Sequence, residues 1–120
     1  MSGVVYCTRS DVEAVWNPAA VLAAVDDDSS GTMTPAKEAL IAMAIERGAD
    51  RMNAYLEQRY KLLELEGNRW CTGINAQVAA YLLALRRSSS APAGLSEQYS
   101  SAMVDLLEIA AGRLKVPGRK

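Results

Sequence analysis

The chain contains no histidine. Imidazole is the usual general base near neutral pH and the commonest metal ligand, so its absence removes most acid–base mechanisms and most metal sites. Cysteine is scarce as well. Cys7 and Cys71 stand apart, with no C-x-x-C spacing and no secretory signal evident ahead of them. They read as buried free thiols in a reducing compartment. No apolar run approaches ~18 residues, so no segment reads as a membrane span. Neither phosphate-binding glycine pattern, G-x-x-x-x-G-K-S/T or G-x-G-x-x-G, occurs. Nor is there a basic excess. Thirteen Lys and Arg against 14 Asp and Glu leave a net charge of −1, unlike a dedicated nucleic-acid binder.

What is present is apolar and periodic. Half of the 120 residues are hydrophobic and 22% are charged, which suits one domain with a core of its own. The organising stretch runs from Thr34 to Tyr60 and reads as one long amphipathic helix. Thr34 offers a capping hydroxyl, and Pro35 suits the first helical position, where its missing N–H costs nothing. At ~100° per residue Ile41, Ile45, Gly48, Ala49, Met52, Tyr55 and Leu56 form one stripe, with Glu46, Asp50, Asn53 and Glu57 opposite. Arg59 projects on the stripe near the helix end, where its stem can lie on the core and its head reach water.

Shorter pieces surround that helix. After an extended lead, Thr8 and Asp11 form a capping pair for a brief helix that buries Val12, Val15 and Trp16. Asn17 and Pro18 restart the pattern, giving a second short helix through Val21, Leu22 and Val25. The Lys61 to Thr72 segment is apolar for a connector and should pack on something. Ile74, Val78, Tyr81, Leu82 and Leu85 define a further helix, whose end carries Arg86 and Arg87 as complements to its dipole. Ser88 to Gly94 reads as a flexible linker. Ser96 then caps a last helix, with a core face at Tyr99, Ala102, Met103, Leu106 and Ala110 and with Leu107 and Ile109 flanking; Gly112 stops it. The expected fold is all-α, a small helical domain of four to five helices around one long central helix. Residues 1–112 form that domain, and residues 113–120 a flexible basic tail.

Two features invite a functional reading. Asp26, Asp28, Ser30 and Thr32 alternate around Gly31 like the first half of an EF-hand loop. The twelfth position, where a bidentate glutamate would close the cage, is Lys37, and Glu38 comes one residue late. An acidic turn ahead of a helix N-terminus accounts for it without calcium. Second, Leu40 and Met43 lie off the stripe of the long helix with Arg47 beside them, which marks a candidate subunit contact. No nucleophile–base pair accompanies either, and Glu46 and Asp50 sit on the polar face. We therefore expect no enzyme, no metal and no cofactor.

Four segments, in order, resemble the head–tail connector or head-completion adaptor family of Mu-like and related tailed phages. They are Tyr6-Cys7-Thr8-Arg9-Ser10-Asp11, the acidic turn Asp26 to Gly31, the signature Tyr55-Leu56-Glu57-Gln58-Arg59-Tyr60, and Ile109-Ala110-Ala111-Gly112-Arg113-Leu114 with its basic tail. The chain departs from the family after Tyr60, where members carry Leu-Pro-Leu and this chain reads Lys61-Leu62-Leu63. The resemblance implies a homo-oligomeric ring, often of twelve subunits, in the virion neck, assembled in the host cytoplasm. Its partners would be a portal protein and a tail-completion or stopper protein, with no membrane contact. DNA would pass through the channel without specific binding, which a near-neutral subunit suits. Leu40, Met43 and Arg47 would then be the subunit interface, and Arg113, Leu114, Lys115 and Val116 the portal-docking segment. A small helical DNA-binding or regulatory protein is the alternative, and a calcium-responsive helical module a third reading.

The stripe makes a direct prediction. Ile45→Asp places an unpaired charge in the core at a cost of several kcal/mol, so the variant should lose its cooperative unfolding transition in circular dichroism. An equally stable Ile45→Asp protein would mean that this face is not the buried one.

Overall fold

Thr34 and Pro35 do open the long helix. In the computed structural model, which describes residues 4–118, the Thr34 hydroxyl accepts a hydrogen bond from the Lys37 N–H at 3.3 Å. The helix α3 then runs Pro35–Leu56. At ~1.5 Å per residue its 22 residues span ~33 Å. It is preceded by α1, Arg9–Val15, and α2, Pro18–Val25, and followed by α4, Arg69–Ala84, and α5, Ala93–Ala110, with a single 3₁₀ turn at Leu62–Leu65. The described residues form an all-α body of 46 × 27 × 22 Å.

The short helices start where local chemistry satisfies their free N–H groups. Asp11 accepts from the Thr8 N–H at 2.8 Å. Asn17 accepts from the Ala20 N–H at 2.7 Å, with Pro18 at the first helical position. Asn68 caps α4 by accepting from the Cys71 N–H at 3.0 Å.

The boundaries differ from the sequence reading at several places: α4 starts at Arg69, inside the segment read as a connector, and stops at Ala84, short of Arg86. Helix α3 ends at Leu56 rather than Tyr60, because the chain tightens there into turns in which the Gln58 and Arg59 N–H groups bond three residues back, to the Tyr55 and Leu56 carbonyls. Helix α5 begins at Ala93, one residue after Pro92, so Ser96 lies inside its first turn rather than capping it. Proline suits the edge of a helix better than a serine three residues further in.

The core divides into two clusters along α3 and α4. One gathers Val12, Val21, Val25, Ile41, Ile45, Ala80 and Leu83, with Leu95 from α5. The other gathers Tyr6, Met52, Leu56, Leu65, Ile74, Val78, Leu106, Ile109 and Val116. Between them α3 and α4 approach at Gly48, where a Cβ would meet Asn75 Nδ2 at 3.1 Å, Val78 Cγ1 at 3.2 Å and the Ala79 amide nitrogen at 3.4 Å. The connector packs as anticipated through Leu65, which is fully buried, while Leu63 points out.

Asn53 corrects the helical wheel. Read as part of the polar face, it is 1% exposed. The Tyr6 hydroxyl donates to Asn53 Oδ1 at 2.6 Å, and Asn53 Nδ2 donates to the Val4 carbonyl at 3.0 Å. A buried amide with partners on both ends is tolerated where a lone one is not.

Gly48→Leu should force α3 and α4 apart. Overpacking of this kind typically costs ~1–3 kcal/mol, which denaturant unfolding would register as a lower midpoint at unchanged slope. A midpoint equal to wild type would show that the crossing has room to spare.

Candidate functional site

Leu40, Met43 and Arg47, singled out from the sequence, come together. They line one concavity of about 190 Å³ between α3 and α4, with Leu82, Leu83 and Arg86 on its other wall. The spacing explains the grouping, since residues three and four apart share a helix face. Leu40 also packs partly on the first core cluster, whereas Met43 is 48% exposed. The lining of this concavity is mostly apolar, with Arg47 and Arg86 as its charged members. Its walls are two helices held by buried contacts, so its shape is fixed by the core.

The C-terminal segment is a different matter. Arg113, Leu114 and Lys115 are exposed, but Val116 is fully buried in the second cluster. The Val116 N–H donates to the Tyr60 hydroxyl at 3.1 Å. Asn68 Nδ2 donates to the Pro117 carbonyl at 3.0 Å, and Arg59 Nε to the Ala110 carbonyl at 3.0 Å. Arg113 is paired with Glu108 at 2.7 Å. Val116, expected in a loosely held tail and as a docking residue, thus belongs to the core, because its side chain caps the apolar end of the cluster. The packed body extends past residue 112. Arg119 and Lys120, the end of that expected tail, lie outside the described residues.

These contacts give the Tyr55–Tyr60 signature a structural role. Leu56 sits in the core, while Arg59 and Tyr60 grip the segment from Ala110 to Val116. Tyr81 and Tyr99 stack with centroids 4.0 Å apart, and Arg51 donates to the Tyr99 hydroxyl at 2.6 Å, which fixes α5 against both long helices.

The acidic turn is organised more tightly than its sequence suggests. Lys37 Nζ donates to Asp26 Oδ1 at 2.6 Å, to Ser30 Oγ at 2.7 Å and to the Thr32 carbonyl at 2.7 Å, and it lies 2.8 Å from Asp28 Oδ1. Hydrogen bonds to Asp26 and then Asp28 hold the ammonium pKa above its ordinary value. The Lys37 hydrogen bond, with help from Ser30, pushes the Asp28 carboxyl well below the usual carboxylate range. Asp27 faces away and pairs with Arg86 and Arg87 at 3.1 and 3.0 Å. Arg86 also donates to the Ala24 carbonyl at 2.7 Å. Its cation therefore complements the C-terminus of α2, in addition to sitting after α4.

Several residues escaped the sequence reading. Val104 was not singled out, and Leu107, expected to flank the core face, points outward; three apart on α5, they are 58% and 54% exposed. A second concavity, about 420 Å³, lies among Trp16, Ala20, Ala23, Arg87, Ala91 and neighbouring residues. Its signal was faint, because Trp16 reads as simple core on a short helix. Cys7 and Cys71 are free and buried, and burial pushes both thiols up to about 12. At neutral pH neither is a thiolate nucleophile.

The family model described as "Bacteriophage Mu, Gp36" matches residues 6–120. No curated protein and no solved structure matches the chain. No helix among the described residues is long and apolar enough to cross a membrane.

The buried C-terminal valine can be tested directly. Val116→Ala should cost ~1–3 kcal/mol through lost methyl burial and the cavity left behind. Leu114→Ala, two residues earlier on the exposed side, should change stability by less than ~0.5 kcal/mol. Chemical unfolding of the pair would reverse this assignment if Leu114→Ala proved the more costly.

Proposed function

The chain belongs to the bacteriophage Mu Gp36 family, and we propose that it is a structural head–tail connector subunit of the phage neck. In this reading identical subunits form a ring beneath the portal, close the DNA-filled head and present a platform for a tail-completion or stopper protein. The role is mechanical and calls on no cofactor. Subunits assemble in the host cytoplasm and remain in the virion.

The observation that carries the reading is the concavity at Leu40, Met43 and Arg47. It exposes apolar side chains on two rigid helices, as a ring needs if every interface is to repeat one angle. Ring closure is heterologous, so a second, different patch must face it. Val104 and Leu107 on α5 supply an exposed apolar pair on another rigid helix. Portal contact falls to Leu114 and Lys115, on the exposed side of the gripped C-terminal segment. Removing everything from Leu114 onwards would strip Val116 from the core and confuse docking with folding, so single substitutions are the sounder probe. A net charge of −1 leaves a channel of such subunits without the basic lining that would hold phosphates.

Met43→Glu repeats a like charge at every interface of a closed ring. It should leave the circular dichroism and unfolding midpoint of the subunit near wild type while abolishing ring formation on the portal. Leu107→Glu should do the same from the opposing patch, and phage carrying either change should accumulate tailless heads that fail to retain their DNA. Normal tailed particles from Met43→Glu phage would remove the interface assignment.

A further inference from the structure

We propose that residues 26–37 form a calcium-type loop whose cation is the chain's own Lys37 ammonium, which makes the joint between α2 and α3 independent of divalent ions. The loop fits a calcium pattern position by position. In a twelve-residue calcium loop the ligands come from side chains at positions 1, 3 and 5, a backbone carbonyl at 7 and a bidentate glutamate at 12, with glycine at 6 for the bend. Counting from Asp26, the same four positions are Asp26, Asp28, Ser30 and the Thr32 carbonyl. All four place an oxygen 2.6–2.8 Å from one atom, Lys37 Nζ. Gly31 at position 6 takes φ +72°, and its N–H donates to Asp26 Oδ2 at 3.0 Å.

The atom at the centre is what separates this from an ordinary acidic turn. The Lys37 side chain is only 5% exposed, and it starts from the twelfth position. A glutamate at that position would add two oxygens and require a metal to hold the acidic groups together. A lysine adds no oxygen and delivers the positive charge instead. Its three N–H donors are shared among four acceptors at hydrogen-bond lengths, slightly longer than the 2.3–2.6 Å that calcium adopts. The four oxygens fall short of the six to eight that calcium takes, and the position they would need to surround is already filled.

The tether also has a structural effect. Lys37 lies in the first turn of α3 and Asp26 immediately follows α2, so the ammonium fastens one helix end to the next. Asp27, pointing outward, carries the fastening on to Arg86 and Arg87 after α4. The angle at this corner is set by covalently attached charges, and neither chelation nor a rise in calcium can change it.

The test compares wild type with Lys37→Gln and Lys37→Glu, each scanned for thermal unfolding in chelator, in millimolar calcium and in millimolar magnesium. Wild type should unfold at the same temperature in all three and give no calorimetric signal with calcium. Lys37→Gln should lose thermal stability in all three. Lys37→Glu should be the least stable in chelator and recover with calcium, with a saturable calorimetric signal that a further Asp28→Ala change removes. Wild-type protein labelled with nitrogen-15 at lysine gives a readout that needs no variant: the Lys37 ammonium protons should exchange slowly enough to be seen at neutral pH. The proposal is overturned if calcium stabilises wild type, if Lys37→Gln keeps the wild-type unfolding temperature, or if Lys37→Glu folds without taking calcium. It is equally overturned if no protected lysine ammonium signal appears.

Discussion

Asn75 is completely buried on α4, opposite Gly48 of α3, and its amide serves two backbones at once. Its Nδ2 donates to the Ile45 carbonyl at 3.0 Å, and its Oδ1 accepts from the Tyr6 N–H at 2.9 Å. Because Gly48 has no side chain, the two long helices come close enough for that bridge to form. Tyr6 is then drawn in, with its hydroxyl on Asn53 and its carbonyl on Thr72 Oγ1 at 2.7 Å. An unpaired amide in this position would cost free energy, so the network holds one crossing geometry and disfavours its neighbours. The two core clusters lie on either side of this crossing and inherit its angle. So does the Leu40–Met43–Arg47 concavity, whose walls are the same two helices.

Much of the architecture was legible because it is local. Thr8 with Asp11, Asn17 with Pro18 and Thr34 with Pro35 announce helix starts through chemistry that acts over three residues. The stripe through Ile41, Ile45, Met52 and Leu56 follows from helical period alone. What escaped was set by partners far along the chain. Asn53 looks solvated on a wheel, and Tyr6 and Val4, 47 and 49 positions earlier, make its burial tolerable. Val116 reads as part of a basic tail, yet Tyr60 and the second cluster receive it. Lys37 read as the residue that spoiled a calcium loop, because the pattern specifies ligands and does not specify what may replace the ion. The interface candidates were found as a group from spacing, but Val104 and Leu107 blended into the apolar side of their helix.

The match to the Mu Gp36 family and the physics of the body bear on different questions. The match gives the family and says nothing of assembly. The geometry supplies the surfaces on which the proposed ring would draw. It sets fixed helical walls around one groove, exposed apolar residues on α5, and thiols whose burial keeps them protonated at neutral pH. Such inert cysteines would suit the proposed place in the virion, since a thiol without thiolate character oxidises slowly.

The opening and closing segments of the described chain are both fastened to the first turn of α4. Tyr6 is held by Thr72, and Pro117 by Asn68, and those two partners are one helical turn apart. Tension applied at either end of the described chain would therefore enter the body in part through this turn, beside the separate holds of Asn75 and Asn53 on Tyr6 and of Tyr60 on Val116. At the opening end the load would also reach the Gly48 crossing, because Tyr6 is bonded to Asn75 and Asn53 as well as to Thr72. The first turn of α4 is thus an anchor common to both ends, and a pull on the opening segment alone would be felt where the two long helices cross.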